Sequence, residues 1–319
     1  MTSEFKIKGV ADVIKIADET EKHLEGLYND KTKFLQGIWF RGQQDKSWKL
    51  IPRVFRRNSS RILIYDEFNI FRHIQLIKPE YRKIYKTTFE WLCLLQHFGL
   101  PTRLLDWSEG ILIALYFAVS DTEEKTKNKD ARLFALSSYK LNWIVNQPRK
   151  GSIYLPDDEE VIGRAEIVNE SDIDRLLELI KYEYKFGEKI VRILKEHVND
   201  QKKDKYDEEL CKALSYPVAV YPYRLNNRMV FQQSVFTING GSYAPVAPNP
   251  IPKPSMLDDL NAKLPKKDIF LKSFVIPQRY KSKIKDELNR IGIHKGALFP
   301  ELEYQTSYIN EKYMNKNYP

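Results

Sequence analysis

Three groups of residues set chargeable side chains among apolar neighbours, and each could act on a phosphate-bearing ligand. The first is Trp39-Phe40-Arg41-Gly42-Gln43. An arginine at the end of a buried strand, followed by glycine, can project into a cleft while the backbone turns sharply. Its planar fork matches phosphate oxygens two at a time, so Arg41 is a candidate pyrophosphate clamp; an ordinary strand-end ion pair would also account for it. The second group runs from Glu90 to Ser108 and contains Gln96-His97-Phe98-Gly99-Leu100-Pro101-Thr102-Arg103-Leu104-Leu105-Asp106-Trp107. Glu90 and His97 stand two helical turns apart and so share a face. His97 falls at a helix C-terminus, where the helix dipole favours its protonated form. Gln96, His97, Thr102, Arg103 and Asp106 lie close together among leucines and tryptophans, and each buried polar group needs a partner. A buried Arg103–Asp106 pair that pins a strand is the structural alternative. In the third group, Arg228-Met229-Val230-Phe231-Gln232-Gln233-Ser234, a strand would set Arg228, Gln232 and Ser234 on one face, as a polar cleft wall or a solvated surface.

Other constellations do not occur. The spacing of His, Cys, Asp and Glu suggests no metal site, no glycine-rich loop resembles a phosphate-binding or dinucleotide fingerprint, and no serine stands in a nucleophile elbow. Two cysteines, Cys93 and Cys211, cannot build a disulfide framework, and Cys93 between leucines reads as core. The longest apolar run, Ile111 to Val119, is about half of the ~18 residues a membrane helix needs, and the first residues carry no apolar signal region. These features lead us to expect a cytoplasmic protein with no membrane partner. Lys and Arg number 52 against 43 Asp and Glu, a net charge of +9. A basic surface attracts phosphates, whether in a nucleotide, a nucleic acid or a membrane face. Much of the charge is mixed, as in residues 121–130 and 199–209, and reads as solvated. Arg53, Arg56, Arg57 and Arg61 form a tighter cluster close in sequence to Arg41.

The elements that must position these residues follow from periodicity and punctuation. Residues 8–28 read as an amphipathic helix with Val10, Val13, Ile14, Ile16, Leu24 and Leu27 at helical spacings, and Gly37 to Gly42 as a strand. Residues 43–60 read as a loop, Tyr65 to Ile77 and Phe89 to Phe98 as helices, with Gly99 and Pro101 stopping the second. Thr102 to Trp107 is extended, and Ser108 is placed to cap a helix from Glu109 to Val119. Ala131 to Leu136 reads as a buried strand. Residues 140–216 change character: Leu141 to Val145, Ile173 to Lys185 and Ile190 to Val198 look helical and the last two are heavily charged, a helical insertion that could contact a protein partner. Pro217 to Tyr223 and Met229 to Ile238 read as strands, residues 243–267 as a proline-rich loop, Ile269 to Ile276 as a strand and Gln278 to Ile291 as a basic helix. Strands and helices do not alternate regularly, so the expected class is α+β, with a small, mostly antiparallel sheet flanked by helices. The chain divides into an N-terminal helix (1–30), a first part (31–139), the charged insertion (140–216), a second part (217–310) and a tail (311–319).

Together the three groups resemble the FRG domain family. The residues that carry the likeness are Phe40-Arg41-Gly42-Gln43, Trp48-Lys49-Leu50-Ile51-Pro52, Gln96 to Trp107, Ala114-Leu115-Tyr116-Phe117-Ala118, Arg228 with Gln232 and Phe236-Thr237, and Leu298-Phe299-Pro300-Glu301-Leu302-Glu303. Ser234 stands where the family usually has glycine, and Glu301 and Glu303 where aspartate is commoner. The resemblance implies a bacterial or phage-associated setting, in phage defence or as a toxin, and no particular reaction. More distantly, the order of Phe40-Arg41-Gly42, Thr102-Arg103-Leu104, a helix ending Tyr116-Phe117-Ala118 and two later strands is similar to ADP-ribosyltransferases. That likeness implies NAD as ligand, bound in an ADP-ribosyltransferase-like core. Where those enzymes carry a catalytic glutamate this chain has Arg228, as do transferases acting on RNA 2′-phosphate and NAD, with Glu301 and Glu303 as fallback acids. On this reading Arg41, His97, Arg103 and Arg228 are the catalytic candidates. Arg41, Gly42, Gln43, Gln96, His97, Thr102, Asp106 and Gln232 would hold the nucleotide, with Arg41 on the pyrophosphate and Asp106 orienting Arg103. The alternative is a non-catalytic module whose arginine-lined cleft holds a nucleotide or nucleic acid.

Overall fold

The computed structural model describes residues 5–24, 37–60, 63–85, 87–120, 124–145, 216–240 and 254–314. The helices expected at 173–185 and 190–198, most of the segment expected to meet a protein partner and residues 243–253 of the proline-rich stretch lie outside these ranges. Among the described residues six strands form one sheet in the order β4-β5-β2-β1-β3-β6, and every neighbouring pair is antiparallel. The strands are β1 (Ile38–Gln43), β2 (Leu104–Ser108), β3 (Ala131–Ser137), β4 (Pro217–Val220), β5 (Ser234–Asn239) and β6 (Leu271–Ile276). This is the α+β class that the irregular element order implies.

Side-chain alternation along the strands builds a core on each face of the sheet. Phe134 and Leu136 of β3 join a cluster with Trp39, Leu92, Leu104, Trp107 and Val220, whereas Leu133 and Ala135 join the opposite cluster with Phe40, Leu115, Ile276 and Ile284. Helix α1 (Ala11–Leu24) buries Val13 and Ile16 on that second face and leaves Ile14 exposed at 68%. Helix α2 (Glu67–Ile77) follows the Asp66 cap, and Phe71 packs on the first face. Helix α3 (Thr88–His97) starts at a reciprocal cap in which Thr87 and Glu90 each bind the other's backbone N–H, so Glu90 serves the helix end. Gly99, at φ +76°, ends it. Helix α4 (Ile111–Val119) is apolar almost all round, as a helix packed on several sides must be. Helix α5 (Ser138–Val145) runs directly on from β3.

Several sequence expectations are corrected. Met229 to Ile238 is not one strand: Asn226 accepts the Met229 N–H and starts a short helix α6 (Asn227–Phe231), and β5 begins only at Ser234. The β-branched and aromatic content of that stretch argued for a strand, but an asparagine cap and burial of Met229 decide the helix. Gln233, at φ 46°, makes the turn between them. Ser108 does not cap α4. It ends β2, donating to the Gln232 carbonyl at 2.8 Å and accepting the Gly110 N–H at 3.0 Å, while Gly110 holds the cap position. The proline-rich segment contains helix α7 (Leu257–Asn261), whose Leu257 is buried. After the basic helix α8 (Lys281–Arg290) come α9 (Lys295–Leu298) and α10 (Leu302–Tyr313), so the expected tail from 311 begins as helix. No helix among the described residues is long and apolar enough to cross a membrane.

Candidate functional site

The cleft arises where the two central strands part. β1 pairs with β3 along its whole length and β2 with β5 along its whole length, yet β1 and β2 meet only at Phe40 opposite Ser108. Continued pairing would set Arg41 opposite Trp107 and Gly42 opposite Asp106. Instead these residues line a cavity of about 310 Å³, at the lower end of small-molecule sites. Gly42 does not turn the chain, since the strand runs on to Gln43. A Cβ at Gly42 would lie 1.9 Å from the Ala114 carbonyl oxygen and 2.5 Å from the Ala118 nitrogen, so the glycine lets α4 sit directly on β1.

Arg41 is the centre of the site. Its side chain is 16% exposed, its Nη1 donates to the Asp106 carbonyl at 2.5 Å, and its Nε is buried without a hydrogen-bond partner. Burial pulls the guanidinium below its ordinary value; Asp106 opposes this and nearby Arg56 adds to it. Arg56 and Arg228 also line the cavity, so its lining holds three arginines and a single acidic residue, Asp106. Gln43, Gln96, Gln232 and the hydroxyls of Ser108 and Ser234 add neutral hydrogen-bonding groups, and Trp48, Trp107 and Phe117 add flat apolar walls.

Of the residues singled out in the sequence, Arg41, Gly42, Gln43, Gln96, Asp106, Arg228 and Gln232 line this cavity, and His97, Thr102 and Arg103 do not. Arg103 is 1% exposed and donates from Nε and Nη2 to both Glu67 carboxylate oxygens, at 2.8 and 2.6 Å. Asp106 therefore does not orient Arg103. Residues three apart in an extended segment point to opposite faces, so the two were never placed to pair. Asp106 instead accepts from Gln96 Nε2 at 2.8 Å and lies 3.8 Å from Arg41 Nη1. Thr102 is buried one step behind, its hydroxyl donating to Gln96 Oε1 at 2.6 Å.

Arg228 and Gln232 reach the cleft together because they are four apart on a helical turn, not alternate residues of a strand. The Arg228 guanidinium lies 4.6 Å from the centre of the Phe299 ring, and Gln232 Nε2 donates to the Leu298 carbonyl at 3.1 Å. Glu301 Oε1 is 3.9 Å from both His97 Nε2 and Arg228 Nη1. The C-terminal segment thus supports the cleft edge through the carboxylate that the sequence offered as a fallback acid. Burial and the Arg228 charge pull His97 below its ordinary value, with Glu301 opposing, so the neutral imidazole is favoured where the helix dipole alone argued for the charged one. Arg56, Trp48 and Ser108 were not proposed as site residues; the arginine cluster held a signal for the first, whereas the other two depend on how β1 and β2 separate.

Comparison with known proteins gives one match to a family model. Residues 36–127 match the family model of the FRG domain, under a third of the chain but containing β1, α3, β2, α4 and most of the cleft. No curated protein and no solved structure matches the chain.

Proposed function

Proceeding from the FRG domain that the chain carries, we propose that the cleft binds a nucleotide, with NAD the first candidate, for transfer of its ADP-ribosyl group. The observation that supports this reading is the convergence of Arg41, Arg56 and Arg228 on one cavity walled by Trp48, Trp107 and Phe117. Guanidinium forks match phosphate oxygens, and flat apolar walls accept a base or the nicotinamide ring. Arg41, held by the Asp106 carbonyl, would grip the pyrophosphate, while Arg228 and Gln232 would close the cleft from α6. In the transfer itself the glycosidic bond to nicotinamide breaks, the acceptor's nucleophile bonds to the anomeric carbon, and the acceptor's proton passes to solvent. A second reading, a non-catalytic module for a nucleotide or nucleic acid end, is favoured by Arg228 standing where a transferase would place its catalytic glutamate.

One experiment separates the two. Purified protein is incubated with labelled NAD and a mixture of cellular RNA, DNA and protein, beside Arg41→Ala and Arg228→Ala. Label transfer or nicotinamide release that both substitutions abolish supports the transferase and identifies the acceptor. Saturable binding that needs Arg41, without turnover, selects the binding module, and neither result sinks both. A role in phage defence or toxicity adds that growth arrest on expression should disappear with Arg41→Ala.

A further inference from the structure

The nucleotide reading leaves one charge in the cleft without a task. A carboxylate beside bound phosphates repels them, yet Asp106 lines the cavity next to Arg41 with 54% of its side chain exposed. Nor is it a loose surface group. The Leu104 N–H donates to Thr102 Oγ1 at 3.1 Å, the Thr102 hydroxyl donates to Gln96 Oε1 at 2.6 Å, and Gln96 Nε2 donates to Asp106 Oδ2 at 2.8 Å. Each link sets the polarity of the next: a backbone N–H can only donate, so the threonine proton must point onward, and the glutamine must present its NH2 group to the carboxylate. The chain begins in the buried core at Leu104 and Thr102 and ends in the cleft. Its last acceptor is Asp106 Oδ2, which is also the carboxylate oxygen paired with Arg41 Nη1 at 3.8 Å, and Oδ1 has no hydrogen-bond partner among the described residues.

We propose that Asp106 Oδ1 accepts hydrogen bonds from the ribose hydroxyls of the bound nucleotide, so that the site selects ribonucleotides over deoxyribonucleotides. The proposal rests on the nucleotide reading and assigns it a sugar. An ionised carboxylate only accepts, so the part of the ligand that meets it must donate. In a phosphate-bearing ligand held by guanidinium groups, the donors nearest the phosphates are the 2′ and 3′ hydroxyls. Arg41 is anchored to the carbonyl of Asp106 itself, which holds the phosphate clamp and the hydroxyl acceptor in one fixed relation. Asp106 is half exposed in the free cleft, so a bound ligand must cover it, and a ligand that covers the oriented carboxylate without a matching donor leaves it desolvated and unpaired.

The test is calorimetric titration of the full chain with ADP and UDP and their 2′-deoxy and 3′-deoxy counterparts, with NAD, and with pyrophosphate. At least one deoxy form should bind about tenfold or more weakly than its parent, the penalty for losing a hydrogen bond to a charged group. In Asp106→Asn that ratio should collapse towards one, while pyrophosphate binds no more weakly than in the native chain. Equal affinity for the ribo and deoxy forms in the native chain overturns the proposal and leaves the nucleotide reading standing. Equal weakening of ADP and pyrophosphate in Asp106→Asn, with the ratio unchanged, also overturns it and reduces Asp106 to a tether for Arg41. Failure of every nucleotide to bind removes the reading and the proposal together.

Discussion

Arg41 and Arg103 carry the same group and belong to adjacent central segments of one sheet, yet their surroundings assign them opposite tasks. Arg103 has the Nε and Nη2 edge of its fork engaged by Glu67 and is sealed from water, whereas Arg41 keeps a buried Nε without a partner and faces the cleft. A buried ion pair contributes little against an apolar substitute, but losing one partner strands the other's charge. Glu67→Ala should therefore cost about 3 kcal/mol or more, read from the denaturant midpoint, while ligands of the cleft still bind. A small loss of stability would mean that water or another group takes over Arg103. Sequence alone could have separated these arginines in part: odd spacing in an extended segment forbids the Arg103–Asp106 pair, although nothing in the chain pointed to Glu67, which lies far upstream on α2. Gln96, Asp106 and Arg41 were legible because polar residues so dense among leucines need partners. The direction of the Thr102–Gln96–Asp106 relay was not, since it depends on which side chains meet.

At the scale of elements, the contact of α4 with β1 decides why the motif reads Arg-Gly. A methyl group at Gly42 would meet backbone atoms of α4, which cannot rotate away as a side chain could. Gly42→Ala should force α4 off the sheet and destabilise the protein by about 3 kcal/mol, visible as a lowered thermal midpoint. Retention of the native midpoint would show that the helix has room to shift. Helix ends were the most readable features here, as with Gly99 at the end of α3, because their signals are local. Helix α6 is hidden for the converse reason: the aromatic and β-branched content of Met229 to Ile238 reads as strand, and the Asn226 cap together with the burial of Met229 outweighs it.

For the whole molecule, the sheet topology fixes which stretch can fold alone. The FRG match at 36–127 contains both central strands, but their long pairings are to β3 and β5, outside it. Within the matched stretch the two strands share only the Phe40–Ser108 pair. A fragment of residues 36–127 should therefore show no cooperative thermal transition by circular dichroism, while the full chain does, because two nearly unpaired strands cannot bury a core. A cooperative transition in the fragment would contradict this account of the sheet.

The chain by itself determined the α+β class, most helix ends and the polar residues that gather round Arg41, because periodicity, caps and the demand for buried partners act within a few residues of sequence. Tertiary structure alone decided that β1 and β2 separate after one pair, that α6 replaces the first half of an expected strand, and that Glu67 and Glu301 stand beside Arg103 and Arg228. Those outcomes depend on residues tens to hundreds of positions apart competing for the same space and charge. No local pattern encodes that competition.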